Sequence, residues 1–231
     1  MIVYGRQAVR EALRGRRAVR RVFATESAAR AGWLESTAVE VVPAARIEAL
    51  AASPDHQGIC AEADPYSYAD AAGLLASGEA LVVCLDEVQD PRNLGGVCRV
   101  AECAGAAGVV IPQRRAAEIT PAVCRASAGA VEHLAVARVR NLADWLGAAK
   151  GTGAWVYGAA LHGAVPYDRP DYRGRVVVVL GSEGRGLRPR VARACDELVA
   201  LPVRGRVGSL NVSAAAAALL YGILHFRSPR P

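Results

Sequence analysis

Lysine is almost missing from this chain: Lys150 is the single one among 28 basic residues, so the net charge of +6 and the pI near 9.2 rest on arginine. Arginine carries a planar fork that grips phosphate at two points and stacks on bases, which suits RNA better than a generic basic surface does. An arginine-rich genome would give the same bias, so nucleic acid is an implied partner at this point and not an established one. No apolar stretch reaches the roughly 18 to 20 residues that a membrane span needs, and no charged leader with an apolar core opens the chain. The six cysteines form no C-x-x-C pair and mostly sit in apolar runs, where they read as small buried side chains. No metal-ligand spacing occurs. These absences predict a cytoplasmic protein in a reducing compartment, with neither a membrane nor a metal among its partners.

What is present is an ordinary globular composition, 52% hydrophobic and 22% charged, far from the profile of disorder. At 231 residues the chain is long enough for two compact units. Residues 1–63 alternate short patterns: a helix around Gly5 to Leu13 and strands at Arg21 to Ala24, Val39 to Val42 and Gly58 to Glu62. Asp64-Pro65-Tyr66-Ser67-Tyr68 breaks the pattern and opens a linker, taken as 64–79. The second unit, 80–231, starts with the continuous apolar run Ala80 to Leu85, as a parallel strand buried on both faces produces. Helix Leu94 to Ala104, strands Gly108 to Ile111, Ala154 to Tyr157, Val176 to Leu180 and Glu197 to Leu201, and helix Asn211 to Phe226 follow. This alternation predicts an α/β fold with a mostly parallel sheet covered on both sides.

Three segments carry candidate chemistry. Asp90-Pro91-Arg92-Asn93-Leu94-Gly95-Gly96-Val97-Cys98-Arg99 follows the first buried strand and enters a helix, with Asn93 as a suitable N-cap and two glycines open to close approach. Leu180-Gly181-Ser182-Glu183-Gly184-Arg185-Gly186-Leu187 is a glycine-rich turn after a buried strand, where open α/β sheets place ligands. Its spacing is G-x-x-G-x-G and it lies late in the chain, which disfavours a dinucleotide-binding Rossmann site. Pro202 to Ser213 links the strand ending at Leu201 to the last helix. Asn211 and Ser213 suit a helix start, while Leu210, apolar among Gly, Arg and Ser, could wall an adenine pocket. Taken singly, each segment also admits a plain structural reading: a solvated helix residue for Arg99, a tight turn at Gly181, caps at Asn211 and Ser213.

Together the order N-L-G-x-x-x-R, then L-G-S-E-G-x-G, then S-L-N-V-S resembles the SpoU (TrmH-like) branch of the SPOUT methyltransferases over about residues 80–226. Val3 to Val9 and His56 to Ile59 resemble the L30e-like substrate-binding domain of its ribosomal RNA members, and Ser127-Ala128-Gly129-Ala130-Val131-Glu132 resembles the guanosine-modifying RlmB-type subfamily. The resemblance implies a fold with a C-terminal deep trefoil knot, S-adenosylmethionine as cofactor, and 2′-O-ribose methylation of RNA, foremost a guanosine of 23S rRNA. It implies a homodimer whose active site is completed across the interface. By family position Arg99, Asn93, Glu183, Ser209 and Asn211 are the catalytic set. Leu180, Gly181, Leu201, Ser209 and Leu210 hold the cofactor.

Methyl transfer from a sulfonium to oxygen asks the site to align the nucleophile and remove its proton. The resemblance implies that Arg99 assists deprotonation of the ribose 2′-hydroxyl; because a guanidinium stays protonated, Arg99 is read as positioning the hydroxyl and a phosphate, accepting the proton only in the assembled complex. Arg6, Arg10, Arg14, Arg17 and Arg21 crowd the first helix and the turn after it; they read either as an RNA-facing surface or as a solvated charged helix. Rival readings are a tRNA ribose methylase, an adenosine-directed rRNA methylase of the antibiotic-resistance kind, an NAD-dependent oxidoreductase and a non-catalytic RNA-binding module.

Overall fold

The computed structural model describes residues 1–227, so the last four positions of the expected second unit lie outside the described residues. Two sheets form. The first is built from β1 (Ile2–Tyr4), β2 (Val19–Ala24), β3 (Val39–Val41) and β4 (Ile59–Ala63), in the order β1-β4-β2-β3. Strand β4 runs antiparallel to both neighbours, and β2 pairs with β3 in parallel. Helices α1 (Arg6–Arg14), α2 (Glu26–Ala29) and α3 (Ala44–Ala51) complete the unit. Tyr4, Phe23 and Cys60 pack with Ile47 of α3 on one side of this sheet, while Val3, Val22 and Ala61 join the larger core on the other.

The second sheet has seven strands in the order β7-β6-β5-β10-β8-β11-β9, every pairing parallel. In chain order the elements are β5 (Leu81–Asp86), α4 (Pro91–Cys103), β6 (Gly108–Pro112), α5 (Pro121–Ala126), β7 (Val136–Val139), α6 (Leu142–Gly151), β8 (Trp155–Ala159), β9 (Val165–Pro166), β10 (Val176–Gly181), α7 (Pro189–Ala194), β11 (Glu197–Ala200) and α8 (Val212–Arg227). The apolar run of β10 serves two cores at once. Val176, Val178 and Leu180 face one, and Val177 and Val179 face the other. Strand β5 does the same with Leu81, Val83 and Leu85 on one face and Val82 and Cys84 on the other. Side chains alternate across a strand, so only an unbroken apolar run can fill both layers.

The chain first builds outward from β5 through β6 to β7, then crosses back to place β10 beside β5. That reversal opens a crevice at the carboxyl ends of the two central strands. Helices α4 and α8 cover one face, packed against each other.

Residues 64–79 are a strap and not a free tether. The Ala69 amide donates to the Val136 carbonyl at 2.8 Å, the Tyr66 hydroxyl donates to Leu134 O at 3.3 Å, and the Tyr68 hydroxyl accepts from the Ile119 amide at 2.9 Å. Strands β1, β7 and β9 and helices α2, α3, α5, α6 and α7 add to the elements expected. Among the described residues no helix is long and apolar enough to cross a membrane.

Candidate active site

The three motif segments meet at the carboxyl edge of the large sheet. Helix α4 begins earlier than the sequence suggests: Asp90 is its N-cap, accepting the Arg92 amide at 2.8 Å, and Pro91 occupies the first turn, where a missing N–H costs nothing. Asn93 is therefore not the cap and its amide is free for other work. Its Nδ2 donates to Glu183 Oε1 at 3.0 Å. Asn211 Nδ2 donates to the same Glu183 oxygen at 2.6 Å and to Asn93 Oδ1 at 2.8 Å. The Val212 amide adds a long contact of 3.5 Å to Glu183 Oε1. Asn211 Oδ1 in turn accepts the Ser213 amide at 2.9 Å and the Ser213 hydroxyl at 2.6 Å, so this residue both caps α8 and joins the site. One carboxylate oxygen is thus held by side chains from residues 93 and 211, and the other has no hydrogen bond among the described residues.

The turn bearing Glu183 is held closed by its glycines. The Gly186 amide donates to Ser182 O at 2.9 Å, and Gly184 and Gly186 both sit at positive φ, 80° and 66°. A Cβ on Gly181 would lie 2.1 Å from the Gly186 carbonyl carbon, so no side chain fits there. Behind the turn, the buried Asp86 at the end of β5 accepts the Arg188 amide and its Nε, each at 2.8 Å. Gly181 and Asp86 are register partners, so both ends of the turn are fixed to one strand end.

A cavity of about 710 Å³ opens beside this turn, beyond the ends of β8, β10 and β11. Leu180, Gly181, Leu201, Ser209 and Leu210, the expected cofactor set, all line it, as does Glu183. Leu210 is 47% exposed, an apolar side chain turned to an open space. Its size suits a small-molecule ligand, and its walls of leucine side chains and glycine backbone suit a flat base beside polar backbone groups.

Other expectations are placed differently. Arg99 is exposed on α4, with no side-chain partner among the described residues, and stands outside the Asn93–Glu183–Asn211 trio. Gly95 and Gly96 serve helix packing: a Cβ would meet Ala126 Cβ at 2.5 Å and Ser213 Cβ at 2.9 Å. Arg17 is a correction to the RNA-facing set, because it is drawn inward to Glu132 in a two-pronged ion pair whose side chains are 8% and 0% exposed. Burial disfavours the Arg17 charge, and the Glu132 hydrogen bond and charge more than offset that, leaving its pKa raised. Arg14 and Arg21 are paired with Glu11 and Glu40, Arg10 is partly buried, and Arg6 is open to solvent. The sequence reading missed Ala159 to His162, which line the cavity after β8; the only signal was a loop following a buried strand. It also missed Asp86, the last residue of the buried strand β5, which Glu87 follows.

A parallel sheet with a ligand cavity and an amide–carboxylate trio at its carboxyl edge defines a small-molecule-dependent enzyme of the α/β class. The SpoU rRNA methylase family model matches residues 80–221, and a model for RNA 2′-O ribose methyltransferase substrate binding matches residues 2–69. The chain is 35% identical over 240 residues to YacO of Bacillus subtilis, which is assigned by name to the TrmH family of tRNA/rRNA methyltransferases, covering 98% of this chain and 96% of that one. It is 36% identical to an uncharacterized tRNA/rRNA methyltransferase of Synechocystis, spanning 98% of this chain and 62% of that longer protein. The structure of an AdoMet-bound rRNA methyltransferase from Sinorhizobium meliloti superposes with a TM-score of 0.81 at 26% identity, over 99% of this chain and 88% of that one. The chain belongs to the SpoU methylase family. It is an RNA methyltransferase of a class that takes its methyl group from S-adenosylmethionine, and the oxidoreductase and non-catalytic readings give way to that.

Proposed function

We propose that this enzyme methylates the 2′-hydroxyl of a guanosine in 23S ribosomal RNA, working in the cytoplasm as a homodimer. The observation that carries the chemistry is the trio of Asn93, Glu183 and Asn211 at the rim of the 710 Å³ cavity. The cavity's residues fit S-adenosylmethionine: Leu180, Leu201 and Leu210 offer apolar walls to the adenine, and Gly181 lets backbone groups approach polar atoms. When bound, that cofactor supplies a methyl group already activated on sulfur. Asn93 and Asn211 hold Glu183 Oε1, which leaves Oε2 to receive and orient the ribose hydroxyl. Ser209, on the same lining, positions the nucleotide.

Arg99 enters from the partner copy, which accounts for its exposure outside the trio of its own chain. The dimer contact runs along α8, where Ala214, Ala218, Tyr221 and His225 form one exposed row beside α4. Residues 1–63 form the substrate-binding unit, 64–79 the strap and 80–231 the catalytic unit, whose end threads the loop after β10 as a trefoil knot. Ribosomal RNA is favoured by the N-terminal unit and by the Sinorhizobium neighbour, which is named an rRNA methyltransferase. The guanosine rests on the resemblance of Ser127 to Glu132. Mapping of 2′-O-methyl groups in cells with and without the gene tests this. One guanosine of 23S rRNA loses its ribose methyl on deletion; persistence of every ribosomal methyl with loss of one in tRNA contradicts the target.

A further inference from the structure

The charge of this chain is not where the sequence suggested. In the N-terminal unit most arginines are spent: Arg14, Arg17, Arg20, Arg21 and Arg30 each pair with a carboxylate. In the catalytic unit nine exposed arginines have no side-chain hydrogen bond or ion pair among the described residues; Arg99, Arg169 and Arg193 stand apart, and the other six are Arg92, Arg114, Arg140, Arg185, Arg204 and Arg206. All six lie in the segments that follow the carboxyl ends of strands: Arg92 after β5, Arg114 after β6, Arg140 after β7, Arg185 after β10, and Arg204 and Arg206 after β11. Because every strand pair in this sheet is parallel, those segments share one edge.

From β7 to β11 that edge crosses five strand spacings, roughly 24 Å at ~4.8 Å each. The order along it is Arg140, Arg114, Arg92, Arg185, then Arg204 and Arg206, with Asn93 and Glu183 at its middle. Two acids at this edge are engaged, Asp86 by Arg188, and Glu87 by Arg188 and Arg115, while Asp90 and Glu183 form no ion pair among the described residues, so the six guanidinium groups outnumber the open carboxylates. An uncompensated row of guanidinium forks on both sides of a catalytic centre is a phosphate track.

We infer that the phosphates flanking the target nucleotide run along this edge, so that the substrate is held as a single strand across the catalytic unit itself. The inference rests on the methyltransferase reading and adds the path of the RNA to it. A single strand fits better than a duplex because the target ribose must reach Glu183 in the crevice, and proteins read RNA at unpaired, splayed nucleotides. The arginines grip phosphate and leave sequence selection to other contacts.

The test is binding of a twelve-nucleotide oligouridylate and of a blunt RNA duplex to the full chain, measured across a salt series, with S-adenosylhomocysteine titrated into the same preparations. Arg114→Ala with Arg140→Ala should weaken oligouridylate binding at least tenfold and lower the slope of log K against log salt by about 1.4, near 0.7 for each lost phosphate contact. Cofactor-product binding should be unchanged, since neither residue lines the cavity. Arg193→Ala removes an exposed arginine, without a side-chain partner among the described residues, that lies before β11 on the opposite edge, and should behave as the parent chain. Parent-like binding by the double variant, equal loss in Arg193→Ala, or duplex binding as tight as the single strand each overturns the track. A parent chain that binds oligouridylate through Arg114 and Arg140 while ignoring S-adenosylhomocysteine supports the track and removes the methyltransferase reading.

Discussion

Glu183 is the residue on which the site turns, since one of its carboxylate oxygens takes amide donors from both of the other motif segments. Its Oε1 is held by Asn93 and Asn211, and removing either amide leaves the carboxylate free to rotate. Asn93→Ala should lower turnover by about a hundredfold or more, the scale seen when one pre-positioned group is lost. S-adenosylhomocysteine affinity should change less than about twofold, because Asn93 is not on the cavity wall. Single-turnover methylation and calorimetry on the same variant check this; cofactor affinity falling in step with activity would remove the assigned role. Arg99→Ala should behave alike in turnover, and mixing it with Asn93→Ala should restore part of the activity if Arg99 serves the partner's site. Failure of any complementation would return Arg99 to its own chain.

At the scale of elements, the Ser127–Glu132 segment explains how the two units are joined. Gly129 lies against Glu11, where a Cβ would come within 2.6 Å of Glu11 Cβ, and His133 meets Glu11 at 2.9 Å. Between them Glu132 receives Arg17, whose fork also donates to the Asp64 carbonyl at 3.1 Å. Leaving one buried charge without its partner costs ~3–5 kcal/mol. Glu132→Ala should therefore lower stability by about that amount in urea denaturation, and Arg17→Met added to it should recover much of the loss. A Glu132→Ala variant as stable as the parent would contradict the burial.

This pair also marks the limit of what the sequence made legible. The buried strands β5 and β10, helix α4, helix α8 and the three motif segments could be read because apolar runs and glycine turns are local signals. Arg17 could not be told from Arg14 or Arg21, because its partner lies 115 residues away and only tertiary packing selects it. Asn93 looked like a cap because an Asn before an apolar run is a local signal, whereas its bond to Glu183, 90 residues away, is set by tertiary packing.

For the molecule as a whole, burial leaves a mark on its pH response. The thiols of Cys60 and Cys124 are pushed up to about 11 and those of Cys98 and Cys195 to about 12, from an ordinary value of 9.0. In this window the folded chain keeps protons that the unfolded chain has released, so stability falls as pH rises from about 9 towards 12. Each such thiol contributes up to about 1.4 kcal/mol per pH unit there. The urea midpoint should hold steady up to pH 8.5 and drop clearly by pH 10.5; a midpoint unchanged at pH 10.5 would contradict it. Sedimentation should give twice the 24.1 kDa chain mass, reduced to one chain by Tyr221→Glu on the exposed row of α8.

The central claim is that the pocket between the Glu183 turn and the loop around Ser209 holds the methyl donor, and calorimetric titration of S-adenosylhomocysteine measures it directly. One saturable site per parent chain is expected, with affinity at least tenfold weaker in Gly181→Ala, whose added methyl collides with the Gly186 backbone. A folded parent chain that takes up no S-adenosylhomocysteine, or a Gly181→Ala variant that binds it as tightly as the parent, would contradict the account.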